Sequence, residues 1–207
     1  MTGLYLLAKS RRAASLLLAL IAVAVASRQL GGQRLLVGAS EPIPLPWAAV
    51  LPAITAYLTV VAAWPALPVQ EYLAARRVTL IDMLNLAAVA AGGIGLVAWA
   101  AQPLTGTLTE LGAVRNYLGL LGYSLIGAAA FRPTMGWALP TMLVTTGLVA
   151  AGAGTNMPPL DWPARNDTEP TSWAVAIAIL LTGLTTFVSP TRRRALALRA
   201  ARAEYDQ

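Results

Sequence analysis

Met83-Leu-Asn-Leu-Ala-Ala-Val-Ala-Ala-Gly-Gly-Ile-Gly-Leu-Val-Ala-Trp-Ala-Ala101 runs for nineteen residues without a charge. A helix rising about 1.5 Å per residue needs about 20 apolar residues to cross a bilayer core. This stretch therefore predicts a membrane span, at 82–101 once its flank is included. Reading outward from it, five similar runs predict spans at 13–28, 47–67, 115–131, 135–153 and 172–189. The first and fourth are short, and Arg12, Arg28, Arg115 and Arg132 can extend their stems towards the headgroups to complete them. A soluble fold would have to bury six apolar helices in 207 residues of which only 12% are charged. Surface-to-volume scaling makes that implausible. The expected fold is all-α, a polytopic integral membrane protein of six transmembrane helices in one transmembrane domain, 1–207.

Charge placement predicts orientation, because Lys and Arg accumulate on the cytoplasmic side of short loops. With the N-terminus inside, eleven of fifteen cations fall on the inner side: Lys9, Arg11, Arg12, Arg76, Arg77, Arg132, Arg192, Arg193, Arg194, Arg199 and Arg202. Arg28, Arg34, Arg115 and Arg165 remain outside, with Glu41, Glu110, Asp161, Asp167 and Glu169. Both termini are thus expected to be cytoplasmic, as an even number of spans requires. Fourteen Arg against one Lys, with abundant Ala, suggests a GC-rich bacterial genome and hence a bacterial plasma membrane. The sequence pI near 10.3 is mostly explained by this topology, and nucleic acid is not an expected partner.

Lys9, Arg11 and Arg12 ahead of an apolar stretch ending Ala24-Val25-Ala26 also match a signal peptide with its cleavage site. An uncleaved first span is the expectation, with Leu4 to Ser10 either a short amphipathic surface helix or a tail. The outer connection 29–46 holds Gly31, Gly32, Pro42, Pro44 and Pro46, which predicts an extended connection without regular structure. Pro52 and Pro65 predict distortion of the second span. On the inner side, 71–80 has no Gly or Pro and predicts a short helix presenting Tyr72, Leu73, Arg76 and Arg77. It reads as a docking helix or as an ordinary positive-inside loop. The outer connection 156–171, rich in Pro and carrying Trp162, predicts an ordered outer cap, with Trp162 and Trp173 in an interfacial belt. A basic cytoplasmic tail, 190–207, would anchor the sixth span on anionic lipid.

Small residues at four-residue spacing, Ala87, Ala91 and Gly95 with Ala88 and Gly92 beside them, predict a smooth face on the third span. Gly119 and Gly122, and Gly147 with Ala151, predict similar faces. Polar groups inside the runs are mostly hydroxyls and amides. Thr141, Thr145, Thr182 and Thr186 form stripes that read first as packing, since membrane Thr bonds its own helix, and second as a mildly polar pathway lining. Asp82, Arg115 and Arg132 sit at span edges.

Catalysis is argued against by subtraction. The chain has no His and no Cys, which removes imidazole bases, thiol nucleophiles and the usual transition-metal ligands. There is no phosphate-binding GxxxxGK[ST] loop and no intramembrane carboxylate pair. The chain is expected to be no enzyme, with no catalytic residues, no metal and no cofactor of its own.

Six spans with both ends cytoplasmic, an inner helix after the second span and a structured connection between the last two resemble the type-2 ABC exporter permeases. Arg115-Asn116-Tyr117-Leu118-Gly119-Leu120-Leu121-Gly122, with Gly127, Trp137 and Pro140, is similar to small actinobacterial permease-like membrane proteins. The resemblance implies that Tyr72, Leu73, Arg76 and Arg77 dock a separate ATP-binding subunit, so that ATP acts only through that partner. It also implies a second permease subunit, the same or different, and export of an amphipathic peptide or lipid-like natural product. The alternative is a non-transporting assembly, regulatory or immunity subunit.

Overall fold

The computed structural model describes residues 13–30, 34–37, 43–64, 78–102, 109–131, 133–152 and 162–189. Six α-helices account for most of them: α1 Ala13–Leu30, α2 Trp47–Ala63, α3 Val78–Ala101, α4 Glu110–Ala130, α5 Ala138–Gly152 and α6 Pro170–Val188. Two helical segments, Asp82–Ala101 and Pro170–Val188, are long and apolar enough to cross a membrane, while Ser15–Leu30 and Pro52–Ala63 are shorter apolar stretches. Residues 71–77 of the expected docking helix 71–80, the N-terminal basic segment, the connection 153–161 and the tail 190–207 lie outside the described residues, while 78–80 belong to α3.

One connection departs from the sequence reading. Arg34–Val37 (β1) and Ile43–Pro46 (β2) pair antiparallel, Arg34 opposite Pro46 and Val37 opposite Ile43, so the connection between α1 and α2 holds a two-stranded ladder where no regular structure is expected. Pro44 and Pro46 occupy alternate positions, and on an edge strand both can turn the side that lacks an N–H away from the partner. Pro52 lies inside α2, as read, but the helix continues past it to Ala63.

Helix α4 is the hub. Fourteen of its twenty-one residues are buried, and α2, α3, α5 and α6 all pack against it. Helix α6 buries only Ser172, Ala176, Gly183 and Phe187, and among helices its extensive contact is with α4 alone. Several polar residues are buried within a mainly apolar core, and large apolar side chains are exposed. Thr55, Thr59, Asp82, Arg115, Asn116 and Ser124 are buried, while Leu18, Leu84, Met142 and Leu181 are more than half exposed. In water such an apolar surface would drive association, whereas hydrocarbon accepts it and favours polar groups paired inside.

Glycine sets the closest approach. A Cβ on Gly122 would lie 2.5 Å from the Ile179 carbonyl oxygen and 2.7 Å from Leu180 Cα, and one on Gly183 would lie 2.6 Å from the Gly122 carbonyl oxygen. The two backbones therefore touch with no side chain between them, as small residues allow in helix pairs. Gly119, one turn away on α4, leaves space for the Trp162 ring, whose Cζ2 would be 2.8 Å from a Cβ there. The smooth face read at Gly119 and Gly122 thus has identified partners. The stripe on α3 does not: Ala87, Ala88, Ala91, Gly92 and Gly95 are exposed, and nothing lies within 4 Å of a Cβ built on Gly92 or Gly95.

Candidate functional site

A polar cluster lies where α4 begins. Helix α4 starts at Glu110, five residues ahead of the expected span edge, which puts Arg115 in its second turn. Arg115 was read as a cation reaching towards headgroups. It is instead fully buried, because the connection after α5 folds over it. A short 3-10 turn, Trp162–Ala164, carries the chain across the end of the bundle and points carbonyls at the guanidinium. Arg115 Nη1 donates to the Asn166 carbonyl at 2.7 Å, and Nη2 donates to the Arg165 carbonyl at 3.0 Å and the Pro163 carbonyl at 3.5 Å. Nε and Nη2 each reach Asn116 Oδ1 at 3.2 Å, and Asn116 Nδ2 donates to the Pro163 carbonyl at 2.8 Å. The planar fork of donors suits several carbonyls at once, which a lysine could not match in geometry.

Trp162 also departs from its reading. It was placed in an interfacial belt and is instead 2% exposed, packed in the core against α4, with its indole hydrogen-bonded to Tyr123. Trp173 is half-buried and donates its Nε1–H to the Asp167 carbonyl at 2.7 Å. The described part of this connection, 162–169, here called the cap, bonds polar groups within itself, to the start of α6 and to the residue before α4. Arg165 Nη1 meets Glu169 Oε1 at 2.7 Å. Thr171 Oγ1 donates to Glu169 Oε1 at 3.1 Å and Ser172 Oγ to Glu169 Oε2 at 3.2 Å. Thr109 Oγ1 donates to Asp167 Oδ2 and ties the cap to the residue that precedes α4.

These donors hold the Glu169 carboxyl below its usual range, the hydrogen bond from Arg165 contributing most and the residual burial working the other way. A depressed folded-state pKa gives stability that is present above the unfolded carboxylate value and lost as pH falls through the folded one. We expect Arg165→Gln to lower thermal stability slightly near neutral pH and to leave it equal to that of the parent protein at strongly acid pH. Melting curves of both proteins across pH check this. The pair is partly exposed, so salt should shrink the difference.

A second junction lies deeper. Tyr117 is fully buried on α4. Its hydroxyl shares a hydrogen bond with Thr59 Oγ1 at 2.9 Å and reaches the Ala90 carbonyl at 3.4 Å, while Thr59 bonds the Thr55 carbonyl at 2.9 Å. One phenol thus links α2, α3 and α4. Asn85 adds a bond from α3 to the Ala62 carbonyl at 3.2 Å. Arg28, also read as reaching for headgroups, donates to the Trp99 carbonyl at 3.1 Å and lies 4.7 Å from the centre of its ring, so it joins the ends of α1 and α3.

Of the proposed pathway residues, Thr141, Thr145 and Thr182 are exposed and Thr186 is half-buried. Each bonds its own helix: Thr141 to Trp137, Thr145 to Thr141, Thr182 to Ala178 and Thr186 to Gly183. Thr141, Thr145 and Thr182 thus lie on exposed faces of α5 and α6. The ATPase-docking residues Tyr72, Leu73, Arg76 and Arg77 lie outside the described residues. Among the described residues no group of three or more His, Cys, Asp or Glu is placed to hold a metal ion.

The residue that sequence reasoning missed is Arg115. Its neighbour Asn116 and the glycine one turn on, Gly119, were the available signal: a polar pair beside a notch, facing a loop with too few N–H donors of its own because of its prolines. No family model, curated protein or solved structure matches this chain.

Proposed function

We propose that the chain is a six-span subunit of a bacterial plasma membrane, with both termini cytoplasmic, that works through partner chains and not by chemistry of its own. Its role in this reading is half of the membrane unit of an ATP-driven exporter for an amphipathic peptide or lipid-like natural product. A separate ATPase would bind the segment around Tyr72 to Arg77, and a second permease subunit, the same or different, would complete the passage. The observation that carries the reading is the exposed apolar surface, where Leu18, Leu84, Met142 and Leu181 stand beside threonines bonded to their own helices. A surface of that kind suits lipid on one side and a second membrane chain on another.

Topology gives the first check. Reporter fusions after Gln33 and Asp161 should report outside, and those after Arg76 and Gln207 inside. An external C-terminal reporter removes the six-span arrangement.

The function is tested at the inner segment. Reversing Arg76 and Arg77 to Glu should leave insertion intact, because the remaining inner cations still bias topology. It should abolish copurification of the ATPase and abolish export, since reversed charge in a desolvated contact costs a few kcal/mol, about a hundredfold or more in affinity. Full ATPase binding by the double variant removes the docking assignment. One observation favours a second reading, a non-transporting assembly, regulatory or immunity subunit: Arg115, Asn116, Thr59 and Tyr117 all direct their polar groups to partners within the chain. If no ATPase copurifies with the unmodified protein, that reading replaces the exporter.

A further inference from the structure

Arg28 and Trp99 meet where α1 and α3 end, and both are exposed. Arg28 stands in the last turn of α1 and lies over the Trp99 ring, with Nη1 donating to the Trp99 carbonyl at 3.1 Å. Stacking uses the face of the guanidinium, and the carbonyl takes one of its five N–H groups. Most of the donor edge is left over. Among the described residues no carboxylate forms an ion pair with it, so the charge is held in place by a ring and a carbonyl and neutralised by neither.

Two exposed lines lead to this pair. On α1, Leu18, Ile21 and Val25 precede Arg28 at helical spacing, and each is more than 40% exposed. On α3, Ala88, Ala91 and Gly95 precede Trp99 at the same spacing and are exposed as well. The two helices pack together, and nothing lies within 4 Å of a Cβ built on Gly92 or Gly95. The α3 line is therefore a trough beside the longer side chains of α1, closed at one end by Arg28 and Trp99. At about 1.5 Å per residue it runs about 16 Å from Ala88 to Trp99, close to half the thickness of a bilayer core, about 15 Å. An acyl chain of one leaflet fits that length.

Charge decides what lies there. Small residues also admit a second helix. A second copy related by a two-fold axis along the membrane normal, however, would bring its own Arg28 to the same depth, where like charges repel. A phosphodiester headgroup brings the opposite charge, with the oxygens that a guanidinium edge binds best.

We infer that Arg28, set on Trp99, holds the phosphate of an anionic phospholipid whose acyl chain lies in the α3 trough along Gly95, Gly92 and Ala88. The site rests on the membrane reading of the chain and is independent of export.

Flotation of the reconstituted protein with its vesicles tests the membrane reading separately. Lipid binding is read by native mass spectrometry of the full chain in a neutral detergent, with phosphatidylglycerol and phosphatidylcholine added in equal amounts. One phosphatidylglycerol per chain should be retained in preference to phosphatidylcholine. Arg28→Gln should lower that retention roughly five- to tenfold, on the scale of one cation lost near an anionic surface. Gly95→Leu fills the trough with nothing within 4 Å to clash, and should lower it similarly. Arg165→Gln, which removes a cation elsewhere, should leave it unchanged. Protein that floats but shows no preference for phosphatidylglycerol overturns the inference and leaves the membrane reading standing. Retention unchanged in either Arg28→Gln or Gly95→Leu also overturns it, as does an equal loss in Arg165→Gln, which would mean attraction to net charge alone. A dimer that Gly95→Leu dissociates, with lipid retention unchanged, gives the trough to a second copy instead. If Arg28→Gln fails to fold, Gly95→Leu against Arg165→Gln is judged by the same outcomes.

Discussion

Gly122→Ala should destabilise the protein by about 1–3 kcal/mol, the usual cost of forcing extra volume into a packed interior, and Gly122→Leu should prevent α4 and α6 from assembling. The added Cβ meets the carbonyl group of Ile179 and the Cα of Leu180, all within 2.7 Å. These are backbone atoms, which cannot rotate aside as the end of a side chain could, so the helices must separate along the contact that attaches α6. Gly183→Ala should behave alike, because its Cβ meets the Gly122 backbone at 2.6 Å. The internal control is Gly95→Ala on α3, where nothing lies within 4 Å. There the change should be neutral or stabilising by up to about 1 kcal/mol, since alanine is the better helix former. Thermal unfolding in one detergent compares all three. The same sign at Gly95 and Gly122 would show that the α4–α6 crossing is not as close as described.

The second large effect is expected at Arg115. Arg115→Leu leaves the Arg165 carbonyl without its donor, while the Pro163 carbonyl keeps the amide of Asn116 and the Asn166 carbonyl keeps the Glu169 N–H. A buried acceptor left without a donor costs about 1–3 kcal/mol. With one carbonyl bare and two keeping a single donor, a total of about 1–3 kcal/mol is expected. Arg165→Gln breaks a partly exposed pair nearby and should cost much less. The contrast separates a structural cation from a surface one. Proteolysis provides a second measurement: in reconstituted protein the cap between Trp162 and Glu169 should resist cleavage, and Arg115→Leu should make it sensitive. Equal sensitivity of both proteins would remove the assignment of Arg115 to cap anchoring.

How much of this was legible in the sequence depends on what each signal measures. Long uncharged runs report helices well, because an apolar stretch needs its backbone bonded internally wherever water is scarce. The glycines of α4 were legible as a smooth face, yet spacing alone cannot say what fills a notch, and only the fold supplies Trp162 and the Ile179 backbone. Threonine back-bonding was legible too: Thr141, Thr145 and Thr182 each bond the carbonyl four residues earlier. Arg115 was not legible. A hydropathy run begins after a cation and so places it at the edge, whereas the helix begins at Glu110 and draws Arg115 inside. The two-stranded ladder was hidden for a related reason, since counting Gly and Pro measures resistance to central strands and says little about an edge pair. Helix α4 is the hub partly because it is less apolar than its neighbours: it holds Arg115, Asn116, Tyr117 and Ser124 among its buried residues, and a scan for apolarity ranks it low for the same reason.

The place of α4 also constrains how the molecule can be made. In a chain synthesised from its N-terminus, α4 emerges after α2 and α3, which can already receive Tyr117 through Thr59 and the Ala90 carbonyl. Its glycine face and Arg115 must wait, because the segments that cover them, the cap and α6, come last. For the interval in which residues 131–161 are being translated, the Arg115 guanidinium has only Asn116 beside it and the glycine groove stands uncovered. That interval is when the nascent chain most needs an insertase or chaperone beside α4, and a ribosome stalled before Trp162 would leave a product that carries most of its helices and cannot close.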